Sequence, residues 1–315
     1  MTAIPSFLHN SLRVLRERLA PSRFSATGLC EVQDLPDRFN VLRPDFTKLE
    51  VDTDASDDQL TACLEKIRAA WMHLGIVKPH WSVLTHHEFL PENLGDSIDA
   101  FYASGEGESA VVENILARHD CSSLSEKICV EYGTGVGRVT MGLARRFAWV
   151  HGYDISPSHL SHAAERAKEI GLTNITLYLC SENFLTPLNE CDVAYSRIVL
   201  QHNPPPLQCR LIRNLLGALK PGGTAIFQVL TYMKDYHFNT LEWLKTNHPP
   251  DMQMHCLPQQ KIFEIIAADN CIPLEVGEDD AAGHLDSRIS NTFVARKLKC
   301  GSNMDNDASS SGYGK

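Results

Sequence analysis

Between Ser56 and Gly75 the apolar positions fall on a helical stripe: Leu60, Cys63, Leu64, Ile67, Trp71 and Leu74 recur at intervals of three and four. Ser56-Asp-Asp-Gln has the form of a capping box with two acids in the first turn, and Gly75 is placed to end the helix. Two shorter helical patterns follow, around Leu94 to Tyr102 and around Ala110 to His119, separated by the glycines of ASGEGE. From Lys127 onward the pattern changes. Apolar, β-branched runs now alternate with helical ones: KICVEY, AWVHGYD, NITLYLC, CDVAYS, TAIFQVL, IPLEVG and ISNTFVARK read as strands. Helices are expected near Val136, at Pro157 and near Pro204. Ser156 before Pro157 supplies an N-cap with proline at the first helical position. Such alternation predicts an α/β fold with a mostly parallel sheet. The last two strands are joined by EDDAAGHLDSR with no helix, which predicts an antiparallel last strand in a pair at one sheet edge.

The flanks are less patterned. Residues 1–55 hold one short amphipathic segment, SLRVLRERLAPSRF, and a Pro/Asp-rich stretch, and read as an irregular leader. The segment is Arg-rich enough to resemble a transit peptide, but Glu17 favours a surface helix. Residues 56–119 read as a helical cap or lid, 120–300 as the main domain, and the small polar residues of 301–315 as a disordered tail.

Composition narrows the function by exclusion. A formal charge of -10 without a long Lys/Arg run argues against nucleic acid as a partner. No apolar stretch reaches the roughly 20 residues of a membrane span. The ten cysteines are scattered through apolar runs and lack Cys-x-x-Cys spacing, which suits reduced thiols and a cytoplasmic setting. His86, His87 and Glu88 are adjacent, so they point different ways on a regular element, and no metal site is expected.

The chemistry centres on KICVEYGTGVGRVTMGLARRF, a strand, a loop with Gly133, Gly135 and Gly137, and a helix. Glycines there let the backbone take positive φ and a ligand approach closely, while the N–H groups opening the helix attract negative charge. The next strand ends in Asp154, where a carboxylate can accept ribose hydroxyls. A dinucleotide fingerprint needs G-x-G-x-x-G/A, yet the third position holds Arg138. Glu131 adds a carboxylate that would oppose a pyrophosphate and suit a cationic amino group. S-adenosylmethionine carries such a group and no phosphate.

These residues resemble the class I S-adenosylmethionine-dependent methyltransferases over roughly residues 127 to 298, and the resemblance implies their Rossmann-like fold. E-Y-G-T-G-V-G is similar to the family's first motif, whose acid and glycines hold the methionine portion of the cofactor. Asp154 matches the ribose-binding acid, with Ile155 against the adenine. The segment from Cys180 to Phe184 stands at the adenine-contacting loop, with Ser181 where an Asp is common, followed by Glu182 and Asn183. CDVAYSRIVLQH resembles the fourth strand and its loop, so Ser196 and Arg197 would reach the cofactor.

The expectation is thus a methyltransferase acting on a small polar acceptor, first a hydroxyl of a sugar or other polyol, since WSVLT, FYASG and SNTFVARK loosely resemble methyltransferases of surface-glycan assembly. An inactive cofactor-binding subunit and an NAD oxidoreductase are the alternatives. His202, directly after the fourth strand, is the expected general base, with Tyr232 and His255 as other candidates. Its alternative role is to anchor the loop that contains Asn203 to Pro206. Specificity is expected in residues 232–257, in 279–288 and in the aromatic segment from Trp81 to Tyr102, including Phe101.

Overall fold

The structure, a computed structural model, describes residues 48–180, 188, 190–247, 252–283 and 287–299. Most of the expected leader, the tail, and Ser181, Glu182 and Asn183 lie outside the described residues.

The described chain begins with a short strand rather than an irregular segment. β1 (Glu50–Val51) pairs in parallel with β7 (His237–Phe238) beyond the main domain's central strands. Asp52 fixes the junction by accepting the Thr240 N–H at 2.8 Å. Helix α1 (Asp57–Val77) starts as its sequence predicts: the Ser56 hydroxyl accepts the Gln59 N–H, and the Gln59 side chain accepts the Ser56 N–H at 2.8 Å. It does not stop at Gly75. That glycine lies where a Cβ would overlap the Ser156 hydroxyl, so it is a close-approach residue inside the helix. Helix α2 (Pro79–Val83) follows at once.

The two expected helices before the main domain are one continuous helix, α3 (Leu94–Arg118). Gly105 does not break it, because a Cβ there would run into the Arg138 carbonyl: α3 needs a glycine to reach the glycine loop. The helix after that loop is correspondingly shorter than expected. Gly133, Gly135 and Gly137 have φ of +84°, +56° and +82°, so regular helix begins only with α4 (Thr140–Ala144), not near Val136.

The strands are β2 (Ile128–Tyr132), β3 (Trp149–Asp154), β4 (Ile175–Leu179), β5 (Cys191–Ser196), β6 (Leu219–Met233), β8 (Cys271–Asp279) and β9 (Arg288–Lys297), with helices α5 (Pro157–Glu169), α6 (Pro205–Gly217), α7 (Thr240–Lys245) and α8 (Gln259–Ala268). They form a seven-stranded sheet among the described residues, in the order β4-β3-β2-β5-β6-β9-β8. β9 alone runs against the other six strands, and it inserts between β6 and β8, leaving β8 at the edge.

Alternation along the strands divides the core between the two faces. Val130, Ala194, Phe227 and Val229 pack with Leu64 and Ile67 of α1 and with α6 and α8. Cys129, Val193, Tyr195 and Ile226 pack with Val112 and Leu116 of α3 and with α4. Helices α1 and α3 therefore cover opposite faces of one sheet. The chain between them, including α2, must cross over the carboxyl ends of the strands. The cysteines join this core: all eight described are free thiols, and burial pushes those of Cys191, Cys209 and Cys256 up to about 12.

Candidate functional site

The strand order reverses at β2: the chain runs outward through β3 and β4, then returns to build β5 and β6 on the other side. A crevice opens at such a switch point, outside the carboxyl ends of the strands. Here it is a cavity bounded by the glycine loop, the end of β3 and the turn after β5. The loops after β2, β3 and β5 form its floor, and α1, α2 and α3 supply walls and roof.

Glu131, Gly133, Gly135, Asp154, Ile155 and Arg197 all line this cavity, so six of the expected cofactor residues are brought together. The glycine loop is held from below by Tyr153, whose carbonyl accepts the N–H groups of Gly133 (2.8 Å) and Thr134 (3.0 Å). Val83 of α2 lies where a Cβ on Gly135 would stand, 2.6 Å away, so the crossing segment roofs the loop. Asp154 is buried, with Oδ2 accepting the Gly135 N–H and Oδ1 the Ser156 N–H, each at 2.8 Å. A carboxylate has about four acceptor sites, so Oδ2 retains one for a ligand hydroxyl. Glu131 is also buried. Burial raises its carboxyl to about 8 against the opposing hydrogen bond from Thr140 at 2.5 Å.

Two other expected residues support the site without lining it. Gly137 packs toward Ala163 of α5, and the Ser196 hydroxyl donates to the Tyr132 carbonyl at 2.9 Å, tying the ends of β2 and β5 together.

The expected base is not in the cavity wall. His202 is buried, its Nδ1 lies 3.1 Å from the Gln253 carbonyl, and its ring meets Trp71 edge-on at 5.3 Å. Burial pulls it down to about 4, so it is a neutral anchor between the turn after β5 and the segment that contains Gln253. His255 is buried too, bonded to the Tyr236 hydroxyl and surrounded by Phe238 and Trp243. Neither it nor Tyr232 lines the cavity, and Phe101 and Tyr102 pack outside the wall against Val136.

Three features escaped the sequence. Glu108 of α3 enters the cavity one turn beyond Gly105, where it accepts the Tyr195 hydroxyl, pairs with Arg138 at 2.6 Å and faces Arg197 at 3.7 Å. Burial works to raise its pKa, but the two guanidinium groups outweigh it and hold the carboxyl below the ordinary range. The helical spacing of Phe101, Gly105, Glu108 and Val112 was the available signal, hidden by treating the glycines as a break. Ile198 has φ +57°, strained for a β-branched residue, and Gln228 from the middle of β6 accepts its N–H at 3.0 Å. His159 of α5 also lines the cavity, bonded to Ser82 of α2 at 2.9 Å. Among the described residues no group of histidine, cysteine or acidic side chains could hold a metal ion.

Residues 129–223 match the family model described as a methyltransferase domain. Among curated proteins the chain is 25% identical over 192 residues to a sterol 4-C-methyltransferase of Caenorhabditis elegans, covering 58% of this chain and 56% of the relative. It is 32% identical over 110 residues to a ubiquinone biosynthesis O-methyltransferase of Methylococcus capsulatus, covering 35% of this chain and 46% of the relative. The chain thus spans about half the length of the curated relatives it matches. Among solved structures, the magnesium protoporphyrin IX methyltransferase of Synechocystis with bound S-adenosylmethionine matches with a TM-score of 0.52, 16% identity, 77% of this chain and 98% of that one. That likeness is one of fold: the Rossmann-like class I methyltransferase sheet with its antiparallel β9.

Proposed function

We propose, from the premise that this chain carries a class I methyltransferase domain, that it is an S-adenosylmethionine-dependent methyltransferase acting on a small-molecule acceptor. The observation that carries the proposal is the convergence of Asp154, the Gly133 to Gly137 turn and Glu131 in one cavity at the switch point of the sheet. These groups fit the cofactor chemically: an acceptor on Asp154 for ribose, positive-φ glycines under the methionine portion, and a carboxyl at Glu131 for the ammonium group. Ile155, which lines the same cavity, would pack against the adenine. When bound, the cofactor would supply a methyl group on a cationic sulfur.

The protein's part is alignment. Placing an acceptor atom in line with that methyl group supplies much of the rate without a dedicated acid or base. Arg197, the strained Ile198 and Val199 follow β5, and Leu64, Ile67 and Trp71 of α1 face the same cavity. This wall is largely apolar, which supports a hydroxyl carried on a ring or other apolar body, and the matched O-methyltransferase of ubiquinone biosynthesis agrees with oxygen as the acceptor atom. A sugar hydroxyl is the second reading, favoured by the polar lining residues Glu108, Arg197 and Asn203.

Calorimetric titration with S-adenosylmethionine and, separately, NAD tests the cofactor. Tighter binding of NAD would overturn the reading. Labelled methyl transfer across phenols, quinols, sterols and sugars then identifies the acceptor, and no transfer beside intact cofactor binding would point to an inactive binding subunit.

A further inference from the structure

Asp154 lies between two halves of the protein. From the sheet side it takes the backbone N–H groups of Gly135 and Ser156. From the other side His159 Nδ1 faces its Oδ1 at 3.4 Å, and His159 Nε2 is 2.9 Å from the Ser82 hydroxyl of α2. Ser82 is itself 2.9 Å from the Pro79 carbonyl. All of Ser82, His159 and Asp154 are buried and line the cavity.

Counting protons orients this chain. If the Ser82 hydroxyl donates to His159 Nε2, the ring's proton is on Nδ1 and points at Asp154. If Ser82 instead donates to the Pro79 carbonyl, Nε2–H donates to Ser82 and the Nδ1 lone pair would face the Asp154 oxygen, which disfavours that arrangement. The favoured arrangement turns an Nδ1–H toward Oδ1 at 3.4 Å, an electrostatic contact rather than a hydrogen bond. The Gly135 and Ser156 N–H groups set the rotation of the carboxyl group, with Oδ2 turned to the glycine loop, and the imidazole closes against Oδ1 from the other side.

We propose that His159 is a positioning residue for Asp154, and that Ser82 completes a latch through which the crossing segment α2 sets cofactor affinity. This rests on the reading that Asp154 holds the cofactor's ribose. The surroundings support a dedicated link: Ser158 donates to the Gly75 carbonyl of α1 at 2.7 Å, Trp71 stands 6.4 Å from the His159 ring, and a Cβ on Gly75 would displace the Ser156 cap. The same junction therefore joins α1, α2 and α5 around one carboxylate.

The test is a thermodynamic cycle on the full-length protein, read by calorimetry with S-adenosylhomocysteine. Ser82→Ala should weaken binding about 3-fold and His159→Leu about 10-fold, and the double variant should be no weaker than His159→Leu, because either change opens the same chain. His159→Gln should stay within about 3-fold of wild type, since its amide can accept from Ser82 and donate to Asp154. Losses that multiply in the double variant, or a His159→Gln as weak as His159→Leu, would overturn the latch. If His159→Leu does not fold, Asp154→Asn replaces it: Ser82→Ala must weaken binding in wild type and add nothing in Asp154→Asn. A wild-type protein that does not bind S-adenosylhomocysteine overturns the cofactor reading and the latch together, whereas additive losses on a binding protein overturn the latch alone.

Discussion

At the scale of single residues the site is governed by charges held away from water. Glu131 is raised from 4.5 to about 8, so between those values the folded protein keeps a proton that the unfolded chain has released. Its contribution to stability is full below the lower value and is lost as pH rises through the upper one. The thermal midpoint of wild type should therefore fall more between about pH 5 and about pH 8 than that of Glu131→Gln, as scanning calorimetry would show. An ammonium group bound beside Glu131 would draw the proton off, so cofactor binding near neutral pH should release protons, seen as heats that vary with the buffer's ionisation enthalpy. Glu108 stands against Arg138 and Arg197 in the same cavity. Glu108→Gln leaves both guanidinium groups without that partner and should destabilise the fold by about 3 to 5 kcal/mol in urea titrations. That Asp154 and Glu131 line one cavity was legible because each lies at the carboxyl end of a strand beside the glycine loop. His202 misled because proximity in sequence to β5 says nothing about which way the ring turns, and here burial and the Gln253 carbonyl turn it inward.

The elements show why glycine is ambiguous in a sequence. Gly75 and Gly105 both read as helix stops, and both lie inside helices at points where another backbone or cap leaves no room for a Cβ. Gly107, one half-turn on, meets nothing within 4 Å. The pair makes a sharp prediction: Gly105→Ala should destabilise by about 1 to 3 kcal/mol through overpacking, and Gly107→Ala should stabilise by about 0.5 to 1 kcal/mol by limiting the unfolded chain. Equal effects in denaturant titrations would refute the assignment of Gly105 to close approach. By contrast, the spacing from Leu60 to Leu74, the Ser156-Pro157 start and the bounds of β5 were fully visible, since each depends on neighbours in the chain. What local pattern could not show was the insertion of β9 between β6 and β8, or the passage of α1 and α3 to opposite faces, because both are long-range pairings.

For the whole molecule, that passage means that α1 and the sheet share one core: Cys63, Leu64 and Ile67 pack in the same cluster as Ala194, Leu207 and Phe227. The helices before β2 should not melt separately. Fluorescence from Trp71 and Trp81 on one side, and from Trp149 and Trp243 on the other, should report a single transition coincident with far-UV circular dichroism, shifted upward together by S-adenosylhomocysteine. An early transition confined to Trp71 and Trp81 would show the helices to be an independent layer. The position of β9 also carries a consequence for synthesis. As the chain leaves the ribosome, β6 can join β5 at once, but its other edge stays bare until residues 288–297 emerge, and β8 is made before it has a strand to pair with. At about 5 to 20 residues per second that interval lasts several seconds. Throughout it, the nascent chain presents the open side of a strand that carries Ile226, Phe227 and Val229, so residues fully buried in the finished protein stand open to chaperones and to mispairing while the chain is being born.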